Sequence, residues 1–209
     1  VTLEIKGKNV KKTLTTIPND IVVFTLTVNE AFCYSKGSGA YPTPPRPAKV
    51  WVDNAIVISS KAPVSVSAIV RFQYTSDGYL AMPVHQYGTN YQVASYADPT
   101  NNTGQFLPSY TSVVGVYDNT KFTFKLGGDN NSQALIENGD TLKLGQEIER
   151  TINEGDVWLV AGIGAFNDLT GSIINSDKPV AVYSGNFCAY VPTHIAACDY
   201  LIEQETPSD

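Results

Sequence analysis

S-S-K-A-P-V-S-V-S-A-I-V-R-F, Ser59 to Phe72, holds both a strand pattern and half of a repeat. Val64, Val66, Ala68, Val70 and Phe72 fall on one face, and Ser65, Ser67, Ile69 and Arg71 on the other. That period of two is the signature of a strand with one face on a core. Its opening, S-S-K-A-P-V-S-V, returns as N-S-D-K-P-V-A-V at Asn175 to Val182, so Pro63 and Pro179 correspond. Upstream, V-T-L-E-I (Val1 to Ile5) matches F-T-F-K-L (Phe122 to Leu126), and D-I-V-V-F from Asp20 matches D-V-W-L-V from Asp156. Downstream, D-G-Y-L at Asp77 answers D-Y-L at Asp199. The order is kept and only the loops change length, as duplication of one structural unit predicts.

The same alternation recurs at both ends of the repeat. Val1, Leu3 and Ile5 alternate with Thr2, Glu4 and Lys6, and Phe122, Phe124 and Leu126 with Lys121, Thr123 and Lys125. Turn residues punctuate the chain at Pro18, Gly127, Glu137 and Asn153, and no helical period is sustained. Twelve Tyr and a single Met fit strands better than helices. The fold class expected is all-β: two related sandwich-like units, mainly antiparallel. The first is expected over 1–120 and the second over 121–209. The first continues through segments around Tyr91–Tyr96 and Ser112–Tyr117, for which nothing after D-Y-L substitutes in the second. A second unit so shortened leaves an open sheet edge, filled by chain beyond Asp209 or by a strand from another molecule.

Two loops outgrow their counterparts. The Asp20–Pro63 interval exceeds Asp156–Pro179, and the surplus is the Pro-rich insertion 29–49. With Pro42, Pro44, Pro45 and Pro47 it cannot be a central strand, because proline donates no ladder hydrogen bond. It reads either as a binding loop, with Tyr34, Tyr41 and Arg46 as anchors, or as cover for a sheet edge. The second surplus is the loop 186–199, which holds Cys188 and Cys198. A disulfide across it would offset the loop's lost order, whereas two buried reduced thiols are the alternative. Cys33, the third cysteine, is left over.

Composition narrows the partners. The 209 residues are 43% hydrophobic and 16% charged, enough for a core and unlike a disordered chain. A net charge of −6 with 14 scattered Lys and Arg argues against nucleic acid. No stretch approaches the ~18 consecutive apolar residues of a membrane helix. The chain opens on a strand pattern rather than a targeting segment, as a mature or excised segment does.

Catalytic patterns are sparse. His85 and His194 lack spaced metal partners, no G-x-S-x-G occurs, and Gly162 to Gly164 is too short for a dinucleotide fingerprint. Trp51 and Trp158 sit in apolar strand contexts and read as core. Asp98, Asp118 and Asp129 lie among loop oxygens and are candidate calcium ligands, but Asp and Asn also favour turns for local reasons. Asn101 and Asn130 head N-x-S/T sequons.

K-P-V-A-V-Y-S-G-N-F-C-A-Y-V-P-T-H-I-A-A-C-D-Y-L-I-E-Q, Lys178 to Gln204, resembles the N-terminal domain family of IgG Fc-binding protein. Members carry a K-P-V-A-V-F-S-G-like strand, a cysteine, a short loop, then C-D-H and E-Q. The stretch from Ser76 through P-V-H-Q-Y-G-T-N-Y-Q-V-A-S-Y is similar to the family's Gly-Thr-x-Tyr signature, and so is Asp168 to Ile173. The likeness runs from about Ile56 onward, departing at Tyr200, where relatives often have His, and in the insertion around Cys33. It implies an extracellular, non-enzymatic β module of a secreted or surface protein. The expected function is therefore adhesion or matrix interaction, with a protein or glycan as partner and no cofactor. The alternative is a structural subunit that self-associates into a surface layer or filament by strand exchange.

Overall fold

The computed structural model describes residues 1–34, 44–72, 74–97, 106–164, 166–192 and 197–208. Its first strands are β1 Thr2–Ile5, β2 Val10–Thr13, β3 Lys49–Trp51, β4 Val57–Ser59, β5 Val66–Arg71 and β6 Ser76–Ala81. There follow β7 Asn90–Gln92, β8 Ser109–Gly115, β9 Thr120–Lys125, β10 Gln133–Leu135 and β11 Thr141–Lys143. The last are β12 Glu147–Ile152, β13 Val157–Ala161, β14 Ile173–Ser176, β15 Val180–Ala189 and β16 Asp199–Gln204. All ladders between these strands are antiparallel. Among the described residues the one α-helix is a single turn, Val28–Ala31, held by a Thr27–Glu30 capping box. The fold is all-β, as expected.

Two sheets enclose the main core. One has the order β12-β9-β14-β7 and the other β16-β15-β8-β13-β3. Phe122 and Phe124 of β9, Ile174 of β14 and Tyr91 of β7 point inward from the first. Val113 of β8, Trp158 and Val160 of β13, and Val180 and Val182 of β15 meet them from the second. Trp158 is fully buried, its ring 5.3 Å from those of both Phe122 and Phe124. Its indole N–H needs a partner in that setting. It donates to Glu137 at 2.8 Å, and Arg150 pairs with the same carboxylate. Burial pushes the Glu137 carboxyl up, but the bonds from Arg150, the backbone and Trp158 outweigh it and leave it below the usual range.

The remaining amino-terminal strands form smaller sheets: a three-stranded one, β2-β1-β4, and a separate hairpin, β5-β6. Thr2, Leu3 and Glu4 face Ser59, Ile58 and Val57. Thr123, Phe124 and Lys125 face Asn175, Ile174 and Ile173. Under the alignment of the two sequence copies these are the same pairs in the same register. β2 flanks β1 as β12 flanks β9, and the β5-β6 hairpin answers β15-β16.

Three expectations need correction. Val64, expected in the core, is 43% exposed, while Val66, Val70 and Phe72 are half-buried. The alternation along β5 is as read, but the apolar face is only partly covered, with Val70 against the Tyr110–Tyr200 cluster and Phe72 beside Phe32. Asp20–Phe24, matched to β13, joins no ladder. Finally, β7 and β8, expected to finish the first unit, pair with β14 and with β13 and β15. Their partners lie across the expected boundary at residue 120.

Tyr91 closes the join between β7 and β15. Its hydroxyl donates to the Val180 carbonyl at 2.6 Å and accepts from the Gly88 amide at 2.9 Å. Tyr91→Phe keeps the ring's volume but orphans two backbone groups, one of them buried. It should lower stability by about 1–3 kcal/mol in urea melts, and an unchanged midpoint would show that water substitutes there.

Candidate functional site

Described residues beside the Pro-rich insertion, beside residues 98–105 and beside the Cys188–Cys198 bridge pack together. Phe32 and Tyr34 lead into the Pro-rich insertion, Phe106 and Leu107 lead out of the segment 98–105, and Phe187, Cys188 and Tyr200 flank the loop 186–199. Phe32, Phe106, Leu107 and Cys188 all pack against one buried cluster of Tyr110, Ala161, Phe187 and Tyr200. Phe32 is the hub, with rings of Tyr34, Phe72 and Tyr200 at 5.6, 5.9 and 6.4 Å. The sequence separations are large, so ordering these bases relies on tertiary packing rather than on local turns.

The cluster is apolar with a few internal hydrogen bonds. Tyr110 donates to the Tyr200 hydroxyl at 2.7 Å, and the rings stack 6.0 Å apart. Burial pushes the hydroxyls of Tyr34, Tyr110 and Tyr200 up, so they stay protonated. Cys33 behaves alike: burial raises its thiol to about 11, against a smaller opposite pull from Lys8. An un-ionised thiol is a poor nucleophile.

Cys188 and Cys198 form a disulfide. It ties the carboxyl end of β15 to the start of β16, where the ladder shifts register between Asn186 and Ala189. The shift is the local cost of the enlarged loop, and the bridge sits beside it.

The three residues proposed as anchors fare differently. Tyr34 is buried against the ring of Phe32, so it is no exposed anchor. Arg46 is exposed and lies 4.2 Å over the ring of Phe106, joining the insertion to the 98–105 segment. Tyr41 lies outside the described residues, as do His194, Asp98 and Asn101. His85 is exposed on a short 3-10 turn. Trp158 is core as expected, but Trp51 is half-buried beneath the ammonium of Lys49 at 4.0 Å.

The two calcium candidates among the described residues accept backbone amides, Asp129 within its own turn and Asp118 from a distant one. Asp118 accepts from the Glu154 amide and Asp129 from the Asn131 amide. Among the described residues no three His, Cys, Asp or Glu side chains gather as a metal set. A shallow cleft of about 570 Å³ beside β11 and β12 is lined by Ile136, Asp140, Thr141, Leu142, Gln146 and Glu147 and holds no nucleophile paired with a base. The shared loop base was the feature the sequence hid, since only the fold brings residues 32, 106, 187 and 200 together.

Residues 77–209 match the family model described as IgGFc binding protein. The chain belongs to that family. It is also 27% identical over 155 residues to the human IgGFc-binding protein, a match covering 74% of this chain and 3% of that protein. No solved structure matches. The matched region begins at β6 and takes in β7 through β16, together with the disulfide and both aromatic flanks of its loop.

Replacing both Cys188 and Cys198 by Ser should cost about 2–4 kcal/mol in chemical unfolding. In the native protein a non-reduced digest should yield the two cysteine peptides linked. Finding both thiols open to alkylation without reductant would refute the bridge.

Proposed function

We propose that this chain is an extracellular, non-enzymatic protein-binding module, used in adhesion or matrix interaction, and that its contact surface is carried by the three loops rooted on the Tyr110–Tyr200 cluster. The observation that carries the reading is that common root. Long loops are poor recognition surfaces when free, because binding must then order them; fixing their bases on a packed cluster lowers that cost. Arg46 over Phe106 adds a link between two of the loops, and exposed Arg and aromatic residues are favoured anchors at interfaces. A disulfide suits an oxidising, extracellular setting, and no described helix is long and apolar enough to cross a membrane.

The relative's name gives IgG Fc as what that protein binds. This chain spans 3% of it, so Fc is one probe among others rather than an assigned ligand. Purified Fc, a mucin and a matrix glycoprotein such as fibronectin, each immobilised for interferometry, cover the protein and glycan classes. Binding to one of them should fall about tenfold or more when residues 36–43 are replaced by a short Gly-Ser link or when Arg46 is changed to Ala, with the melting temperature unchanged. Binding that survives both changes would move the contact surface off the loops. Unfolding on loop replacement would make the insertion part of the core.

A further inference from the structure

The two halves differ in one respect that sequence similarity does not predict. In the second, β8 is the central strand of its sheet, paired on one side with β15 and on the other with β13. In the first, the counterpart of β15 is β5, whose outer edge pairs with no described strand. The counterpart of β13 is the segment Asp20–Phe24, which joins no ladder at all. What is lacking is the strand that joins such a pair.

Exposure of matched residues points to the same gap. Val180, beside β8, is fully buried, whereas its counterpart Val64 is 43% exposed. Val157 and Leu159 are each 6% exposed, but Ile21 and Val23, their counterparts, are 85% and 73% exposed. Like side chains in like positions are covered in one half and bare in the other. An unpaired edge next to bare apolar side chains is the arrangement that strand addition completes.

We propose that the first half is a strand-acceptor site, in which an extended segment of the β8 type pairs antiparallel with the outer edge of β5. The repeat identifies the occupant. In the second half β8 leads directly into β9 through residues 116–119. β9 corresponds to β1, so the strand that belongs here is the polypeptide leading into β1. A second copy of the chain offers no spare equivalent, because its own β8 is paired on both edges. The segment should carry the pattern of S-Y-T-S-V-V-G, Ser109 to Gly115, with small polar residues among apolar ones. The complete repeat then spans two strands before the β1-type strand, and the carboxyl-terminal unit begins ahead of β7. This assignment concerns the opposite half from the cysteine-bridged loop and does not depend on the binding role of the loops.

The test compares the 209-residue chain with the same chain carrying a copy of residues 107–121 ahead of Val1, which reproduces the spacing between β8 and β9. Amide hydrogen exchange of Val66 to Arg71 and molar mass by light scattering are measured for both. The extended chain should remain a monomer and exchange its β5 amides about tenfold more slowly or better. A control extension with prolines at the copied positions of Ser112 and Val114 should give no such protection. Equal β5 exchange with and without the copied segment would overturn the proposal. So would β5 amides already protected in a dimer of the unextended chain, which would assign the site to a second copy.

Discussion

Strand β8 has hydrogen-bonded neighbours on both edges, and the arrangement of the carboxyl-terminal sandwich depends on that. Its registers with β13 and β15 determine which residues of those strands reach the core. Tyr110 at its start enters the aromatic cluster, and Val113 at its middle enters the main core with Trp158 and Val182. A one-residue slip along either edge would turn these side chains outward and remove the cover from both clusters. Ser109 and Thr111 are buried as well, and they are satisfied locally: the Ser109 hydroxyl accepts from the Leu169 amide, and Thr111 donates to the Tyr183 carbonyl. Those bonds make the register costly to change, because a shifted strand would bury the same hydroxyls without partners.

Much of the fold is legible in the sequence, and the features that are not share a physical cause. Period-two alternation identifies β1, β5 and β9 because each has one face toward apolar contacts and one toward solvent. β13 reads as a continuous apolar run, V-W-L-V-A, since both faces are covered. The match of Asp20–Phe24 to it is sound as a comparison of letters, yet a strand also needs neighbours, and those are not in the letters. The same omission misplaces β7 and β8. Sequence order puts them after the first hairpin, but strand pairing puts them with β13 to β15. A Pro-rich setting gives Tyr34 the look of an exposed anchor. Its contact with Phe32, whose own partners include Tyr200, buries it instead.

On the proposed reading, binding and stability draw on separate regions of this molecule. The loops lie on a base of neutral tyrosines whose hydrogen bonds stay within the cluster or go to backbone carbonyls. On that reading, recognition can vary without a matching loss of stability. Cys33, with its thiol raised by burial, fits the same division, since it adds packing and little reactivity.

The line along which β6 meets β16 differs in kind from either sandwich. No ladder joins them; instead the Tyr200 amide donates to Thr75, the Ile202 amide to Asp77 and the Met82 amide to Gln204. Residue numbers rise along both strands together, so the two run in the same direction, with the ring of Tyr79 5.1 Å from that of Tyr183 beside them. Under tension a ladder loaded along its strands resists as a group, whereas side-chain bridges such as these give way singly, in sequence. The β3–β13 ladder still joins the two halves, so opening this seam would loosen them without parting them.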